Sequence, residues 1–179
     1  MSRARLRPTM ADDLDFVLSL QHDPAHRSLV TQWERSQHEA ATRFPDFRHF
    51  IIEGGAGLEA AGFAVLTGCR NPHRSIELKH MVVQPREMGV GRAAIRVLKK
   101  LVFDELGAHR FWLELNGENA RAQSFCDNEG FVLEGRLRDA VRARAETADD
   151  AAEYHSLVIL SMLQQEFAAR RAQGLEMFG

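Results

Sequence analysis

"MVVQPREMGVGRAAIRVLKK", residues 81–100, begins on apolar residues of strand type, crosses a proline and two glycines, and ends as a basic amphipathic helix. A strand that turns into a helix through glycine presents unpaired backbone N–H groups and the positive end of a helix dipole. That combination is an anion site, and a phosphate is its natural guest. Gly89 and Gly91 carry no side chain to obstruct a diphosphate, and Arg86 and Arg92 are placed to add charge-assisted contacts. A plain connecting loop, its glycines serving only turn geometry, explains the same residues equally well.

Working outward, residues 47–54, 59–69 and 74–83 are apolar, β-branched runs separated by Gly, Asn and Pro, which predicts three consecutive antiparallel strands. From Gly89 the helical period returns, with Val90, Ala94, Val97, Leu98 and Leu101 on one face and Arg92, Arg96, Lys99 and Lys100 pointing elsewhere; Gly107 is a natural stop. Before the meander, 4–9 reads as a strand, Thr9 or Asp12 as the cap of a helix ending near His22, and 24–43 as a second helix. After it come a strand at 110–115, a helix at 118–129, strands at 131–137 and 154–160, and a terminal helix at 162–172. Residues 142–153 have the composition of a mobile loop or hairpin tip.

The chain has 179 residues, 45% of them hydrophobic, which suits one domain spanning 1–179. A net charge of −2 gives no general attraction to nucleic acid or to an anionic membrane. Its cations are twenty Arg and three Lys, from which no function follows. Cys69 and Cys126 form no CxxC pair, so neither a disulfide scaffold nor a zinc site is expected. No apolar run approaches the length needed to span a bilayer, and the first ten residues lack a signal-type apolar stretch, so a cytoplasmic protein is expected.

Two nucleotide-binding alternatives fail. Residues 89–94, "GVGRAA", satisfy G-x-G-x-x-A, and Glu114 stands near the end of the next strand where a dinucleotide fold puts its ribose-binding acid. However, the first glycine lies six residues beyond the strand at Val83, the motif follows a meander, and too little chain remains for a doubly wound sheet. A P-loop is excluded because no Gly-Lys-Ser/Thr follows.

"VVQPREMGVGR", residues 82–92, resembles the acyl-coenzyme A signature of the GNAT superfamily of N-acetyltransferases, (Q/R)-x-x-G-x-(G/A), met here by Arg86-Glu87-Met88-Gly89-Val90-Gly91. "NGENARAQSFCDNEGFVLEGRLRD", residues 116–139, resembles the second motif of that family, and its continuation is most similar to the branch acting on protein N-termini, ribosomal proteins and polyamines. The resemblance implies an α/β domain: a central, mostly antiparallel sheet with helices on both faces and a V-shaped splay between its central strands. It implies acetyl transfer from acetyl-CoA to a primary amine, without a metal. Main-chain groups of residues 86–91 would hold the diphosphate, the edge of Met81, Val82 and Val83 would pair with the pantetheine arm, and Asn119 would either touch the cofactor or cap its helix.

Amine attack on a thioester needs a neutral amine, a stabilised oxyanion and a proton for the departing thiolate. By resemblance, Glu77 is the proton acceptor, a solvent-facing strand residue being the alternative. Strand alternation puts His80, the second choice, on the opposite face. The oxyanion would meet a backbone N–H near Val83. Where many relatives carry an acidic tyrosine, this chain has Cys126, either a proton donor or a buried apolar residue; its only tyrosine, Tyr154, opens the last strand. The acceptor would lie against residues 20–46 and 138–153, with Trp33 and Phe44 as walls or core and Asp149, Asp150 and Glu153 as attractors of a cation or a solvated loop. A homodimer is compatible with the resemblance, and a CoA-binding sensor without turnover is the alternative function.

Overall fold

Seven strands form one sheet in the order β1-β2-β3-β4-β5-β7-β6. They are β1 (Ala4–Pro8), β2 (Arg48–Gly54), β3 (Glu59–Thr67), β4 (Ser75–Val83), β5 (Arg110–Asn116), β6 (Val132–Arg142) and β7 (Tyr154–Leu163). The helices are α1 (Leu14–His22), α2 (Arg35–Arg43), α3 (Val90–Lys100), α4 (Ala120–Asn128) and α5 (Gln164–Ala172). The computed structural model describes residues 3–26, 30–55, 57–84, 89–142 and 153–176. Every strand pair is antiparallel except β4–β5.

The parallel pair is brief. Ser75, Ile76 and Glu77 face Arg110, Phe111 and Trp112, and there the register ends, although β4 continues to Val83 and β5 to Asn116. The two strands therefore diverge at the centre of the sheet, which is the expected splay.

Alternation within each strand sends side chains to two cores. On one face Ile52, Leu66, Leu78, Phe111 and Met162 pack with Leu98 of α3, Cys126 of α4 and Phe167 of α5. On the other, Ile51, Phe63, Val65 and Val82 pack with Val17 and Leu20 of α1 and Ala41 of α2. A fully buried Phe63 contributes about 2–3 kcal/mol by removal of apolar surface from water.

Three local expectations are corrected. The second helix begins at Arg35, not Pro24: Asp23 Oδ1 takes the Ala25 N–H at 2.7 Å in a turn, and the chain from 31 to 34 runs without helix into the Glu34 cap. Neither Thr9 nor Asp12 caps α1. The turn before α1 starts at Met10, whose N–H goes to Asp13 Oδ2 at 2.8 Å, while the Thr9 hydroxyl is engaged elsewhere. Lys99 does not point outward: it is fully buried, one residue past Leu98 on the core face of α3. Of the segment 142–153, residues 143–152 lie outside the described residues; the flanking strands pair, Arg142 opposite Tyr154.

Candidate active site

The β3–β4 ladder contains a bulge that decides which side chains share a face. Thr67 pairs with Glu77 and Leu66 with Leu78, but Val65 pairs with His80, so Lys79 is the extra residue. Before the bulge, even-numbered residues Ile76 and Leu78 enter the core beneath α3; after it, even-numbered Val82 enters the core beneath α1 and α2. One inserted residue reverses the phase of a period-two strand. Glu77, opposite Thr67, and His80, opposite Val65, therefore lie on the same face, that of α1 and α2. The expectation of opposite faces is corrected.

The main chain of β4 alternates as well. The Gln84 N–H donates to the Ala61 carbonyl at 2.7 Å, so Gln84 and, two residues earlier, Val82 turn their polar groups toward β3. Met81 and Val83 turn theirs the other way, into the gap between β4 and β5. Val82 therefore offers the gap no main-chain hydrogen bond, while Met81 and Val83 offer a free strand edge.

This close approach depends on Gly62. A Cβ built there would sit 2.2 Å from the Val82 carbonyl oxygen and 3.0 Å from Val83 Cα, both main-chain atoms that cannot rotate aside. Gly62→Ala should lower stability by about 1–3 kcal/mol and displace the Met81–Val83 edge. Thermal unfolding together with calorimetric titration of acetyl-CoA checks it; an unchanged melting temperature and affinity would refute the constraint.

The gap leads to the start of α3. Gly89 caps that helix in the left-handed region, φ 69°, where glycine alone is unstrained, and Val90 anchors the first turn in the core. A side chain at Gly91 would meet open space, so the helix's first N–H groups are approachable. Arg92 Nε lies 3.2 Å from Glu129 Oε1, and the rest of its guanidinium is exposed beside the first turn of α3. Arg86, Glu87 and Met88 lie outside the described residues.

Glu77 occupies the vertex of the splay, opposite Trp112 at the last paired position, its half-buried carboxylate taking Lys79 Nζ at 3.1 Å. Asn119 caps α4, its Oδ1 accepting the Ala122 N–H at 3.1 Å. Cys126 belongs to the core, and burial pushes its thiol up to about 12, which is unfavourable for donating a proton to a thiolate. Tyr154 is exposed opposite Arg142. Trp33 packs edge-on against the His80 ring at 4.6 Å between centroids, whereas Phe44 is exposed at the end of α2. Asp149 and Asp150 lie outside the described residues, and Glu153 is exposed.

Sequence reasoning missed a buried polar chain on the α1–α2 face. Trp33 fixes the Gln21 amide from both sides: Gln21 Nε2 donates to the Trp33 carbonyl at 2.8 Å, and Oε1 accepts the Trp33 N–H at 3.1 Å. His38 Nε2, 3.1 Å from that Oε1, must then carry the proton, leaving Nδ1 to accept from His49 Nε2 at 2.9 Å. His49 Nδ1 in turn accepts from the Thr9 hydroxyl at 2.8 Å. Each step fixes one tautomer, and each ring is neutral. Burial, then neighbouring imidazoles, lower His38 to about 3; burial and then His80 lower His49 to about 4. The partners come from the residue after β1 and from α1, α2 and β2, so only spacing between distant residues, invisible to local pattern, could have announced them. Among the described residues no cluster suits a metal ion, and no helix is long and apolar enough to cross a membrane.

Residues 3–132 match the family profile of the acetyltransferase (GNAT) domain. An uncharacterized N-acetyltransferase of Mycobacterium tuberculosis is 31% identical over 113 residues, 63% of this chain and 71% of that protein. The spermidine N(1)-acetyltransferase of Escherichia coli is 26% identical over 145 residues, covering 74% of this chain and 75% of its own. In fold, the chain is similar to the spermidine N-acetyltransferase of Vibrio cholerae solved in complex with CoA and spermine, with a TM-score of 0.79 at 22% identity, covering 93% of this chain and 98% of that one.

Proposed function

Since the chain belongs to the GNAT acetyltransferase family and is an acyl-CoA-dependent N-acetyltransferase, we propose that acetyl-CoA is its donor and an alkyl polyamine its acceptor. The observation that carries the reading is the gap itself: a strand edge, Met81 and Val83, opening toward a glycine-capped helix start. An extended pantetheine arm adds to that edge as a strand would, and its diphosphate meets the N–H groups at residues 86–91. An N–H from the same edge faces the thioester oxygen and stabilises the oxyanion as it forms. The polyamine assignment draws on the relatives named for spermidine acetylation.

Glu77 stands where β4 and β5 part, on the face of α1 and α2. An alkylammonium with a pKa near 10 must lose a proton before it attacks, and Glu77 receives that proton directly or through water. Asn119 serves as a cap, and Cys126 is given no proton-transfer role. The domain extends over 1–179 and works in the cytoplasm.

A thiol-release assay with acetyl-CoA tests this across spermidine, spermine, aminoglycosides, amino acids and short peptides. Spermidine or spermine should be turned over fastest, and Glu77→Gln should lower kcat by about 100-fold at neutral pH, less as pH rises. Faster turnover of a peptide would overturn the acceptor class; full activity of the variant at every pH would remove Glu77 from the mechanism.

A further inference from the structure

Trp112 has the largest side chain of β5 and is half-buried, yet among the described residues it belongs to neither hydrophobic core. The strand register shows where it points. Ile76 of β4 and Phe111 of β5 pair with each other and both enter the core beneath α3, so the next pair, Glu77 and Trp112, turns to the opposite face. On that face the core under α1 and α2 takes residues of β2, β3 and β4 and none of β5, β6 or β7. The indole therefore stands beside Glu77 on the acceptor face, on a strand about 4.8 Å away, at the last paired position before the splay opens.

The ring is held from one side. The Arg110 guanidinium carbon lies 5.3 Å from its centroid. That guanidinium is fixed in turn: Nη2 donates to Glu134 Oε2 at 2.5 Å and Nη1 to Ser75 Oγ at 3.3 Å. Ser75 pairs with Arg110 at the closed end of the two strands, so the cation covers the indole from the closed end and leaves its other side turned toward the gap. Glu134, whose second oxygen accepts from the Ser161 hydroxyl at 2.5 Å, neutralises the arginine, so the stacked pair does not repel a cationic guest. Lys79 approaches Glu77 along β4 and takes Oε1, which leaves the β5 side of the carboxylate to Trp112.

We propose that Trp112 selects the acceptor: the side of the indole turned to the gap carries the alkyl chain of the amine and the next ammonium along it, while Glu77 takes the proton of the terminal nitrogen. This rests on the acetyl-transfer reading and deepens it by naming what tells a polyamine from a short amine. An aromatic face attracts an alkyl chain and a cation at once, a combination that no aliphatic side chain offers. Any amine seated on the Glu77 carboxylate from the β5 side lies against the neighbouring ring. A polyamine places a second charge there, whereas a monoamine gains the apolar contact alone.

The test compares wild type, Trp112→Phe and Trp112→Leu on spermidine and on butylamine, with acetyl-CoA affinity measured by calorimetry for each. Trp112→Leu should raise the KM for spermidine about tenfold, leave the affinity for acetyl-CoA unchanged and alter the KM for butylamine by less than about threefold; Trp112→Phe, which keeps a ring, should stay within about threefold on both amines. In the unsubstituted protein loaded with CoA, the indole N–H signal of Trp112, identified by its absence from Trp112→Phe, should move when spermidine is added at constant ionic strength. A spermidine KM in Trp112→Leu within about twofold of wild type overturns the assignment of Trp112 and leaves the acceptor class standing. So does an indole signal that stays in place, or a loss shared equally with acetyl-CoA affinity, which marks a structural role. A wild type that turns over peptides and no polyamine overturns the acceptor class and this assignment together.

Discussion

Replacing Lys99 with methionine is expected to lower the free energy of unfolding by about 3 kcal/mol, although the two side chains are similar in length. Lys99 Nζ is fully enclosed, 3.3 Å from Glu129 Oε2, 2.5 Å from Glu176 Oε2 and 2.9 Å from the Glu129 carbonyl oxygen. Burial lowers the ammonium below the usual lysine range, and Glu176 and then Glu129 pull it back up. Removing the cation leaves two buried carboxylates facing each other's surroundings. Each keeps an arginine, Arg96 at 3.1 Å from Glu129 and Arg170 at 2.8 Å from Glu176, which places the loss at the low end for a broken buried pair. Adding Glu176→Gln to the methionine variant should recover about 1–2 kcal/mol, because one stranded charge is gone. Urea unfolding of the two single variants, the double variant and the parent measures the cycle. A methionine variant within 0.5 kcal/mol of the parent (about the range of a neutral surface change) would mean that the cluster contributes nothing. The cluster joins the end of α3 to the turn after α4 and to the C-terminal turn. It thus steadies, from the far end, the helix whose first turn faces the gap.

The fold was legible wherever local chemistry and tertiary role agree. Glycine marked the turn into α3, and the period change from two to 3.6 marked β4 and α3, because burial against the sheet's cores imposes each period. The site was less legible, for reasons that can be located. No glycine or proline announces the bulge at Lys79, and Met81, Val82 and Val83 are apolar on both phases, so the reversal of faces leaves no trace in hydropathy. That hid His80. The second helix was overextended because Trp33 and Val30 keep helical spacing, while the residues that hold the chain out of a helix, Gln21 and His80, lie on α1 and β4. Lys99 did leave a signal: in a chain of twenty arginines, one of only three lysines falls four residues after the buried Ile95. A compact ammonium fits between two carboxylates in a core where a planar guanidinium does not.

Acidification from pH 7.5 to pH 5 is expected to remove most of the stability of the fold while the surface carboxylates are still ionised. His38, His49 and His80 are buried neutral, lowered to about 3, about 4 and about 4. An unfolded histidine titrates near 6.5, so between roughly pH 6.5 and pH 4 the unfolded chain binds protons that the folded chain refuses. The stabilisation is fully present above that window and declines as pH falls through it. At pH 5 each ring contributes a loss of about 2 kcal/mol, and three rings approach the whole of a typical domain's 5–15 kcal/mol. The carboxylates of Asp13, Glu53 and Glu134, held low chiefly by hydrogen bonds from Arg7, Arg5 and Arg110, add their own losses only at more acid pH. The refusal has a structural cause beyond burial: in the chain from Thr9 through His49 and His38 to Gln21, each accepting nitrogen already faces a donor. A proton added to either ring must break a hydrogen bond in a space closed to water. Unfolding free energies from urea titrations, plotted against pH, should show a slope near pH 5 equivalent to two or three protons, about 3–4 kcal/mol per pH unit. A slope of less than one proton would mean that these rings accept protons without unfolding, and the fixed tautomers assigned to them would be wrong.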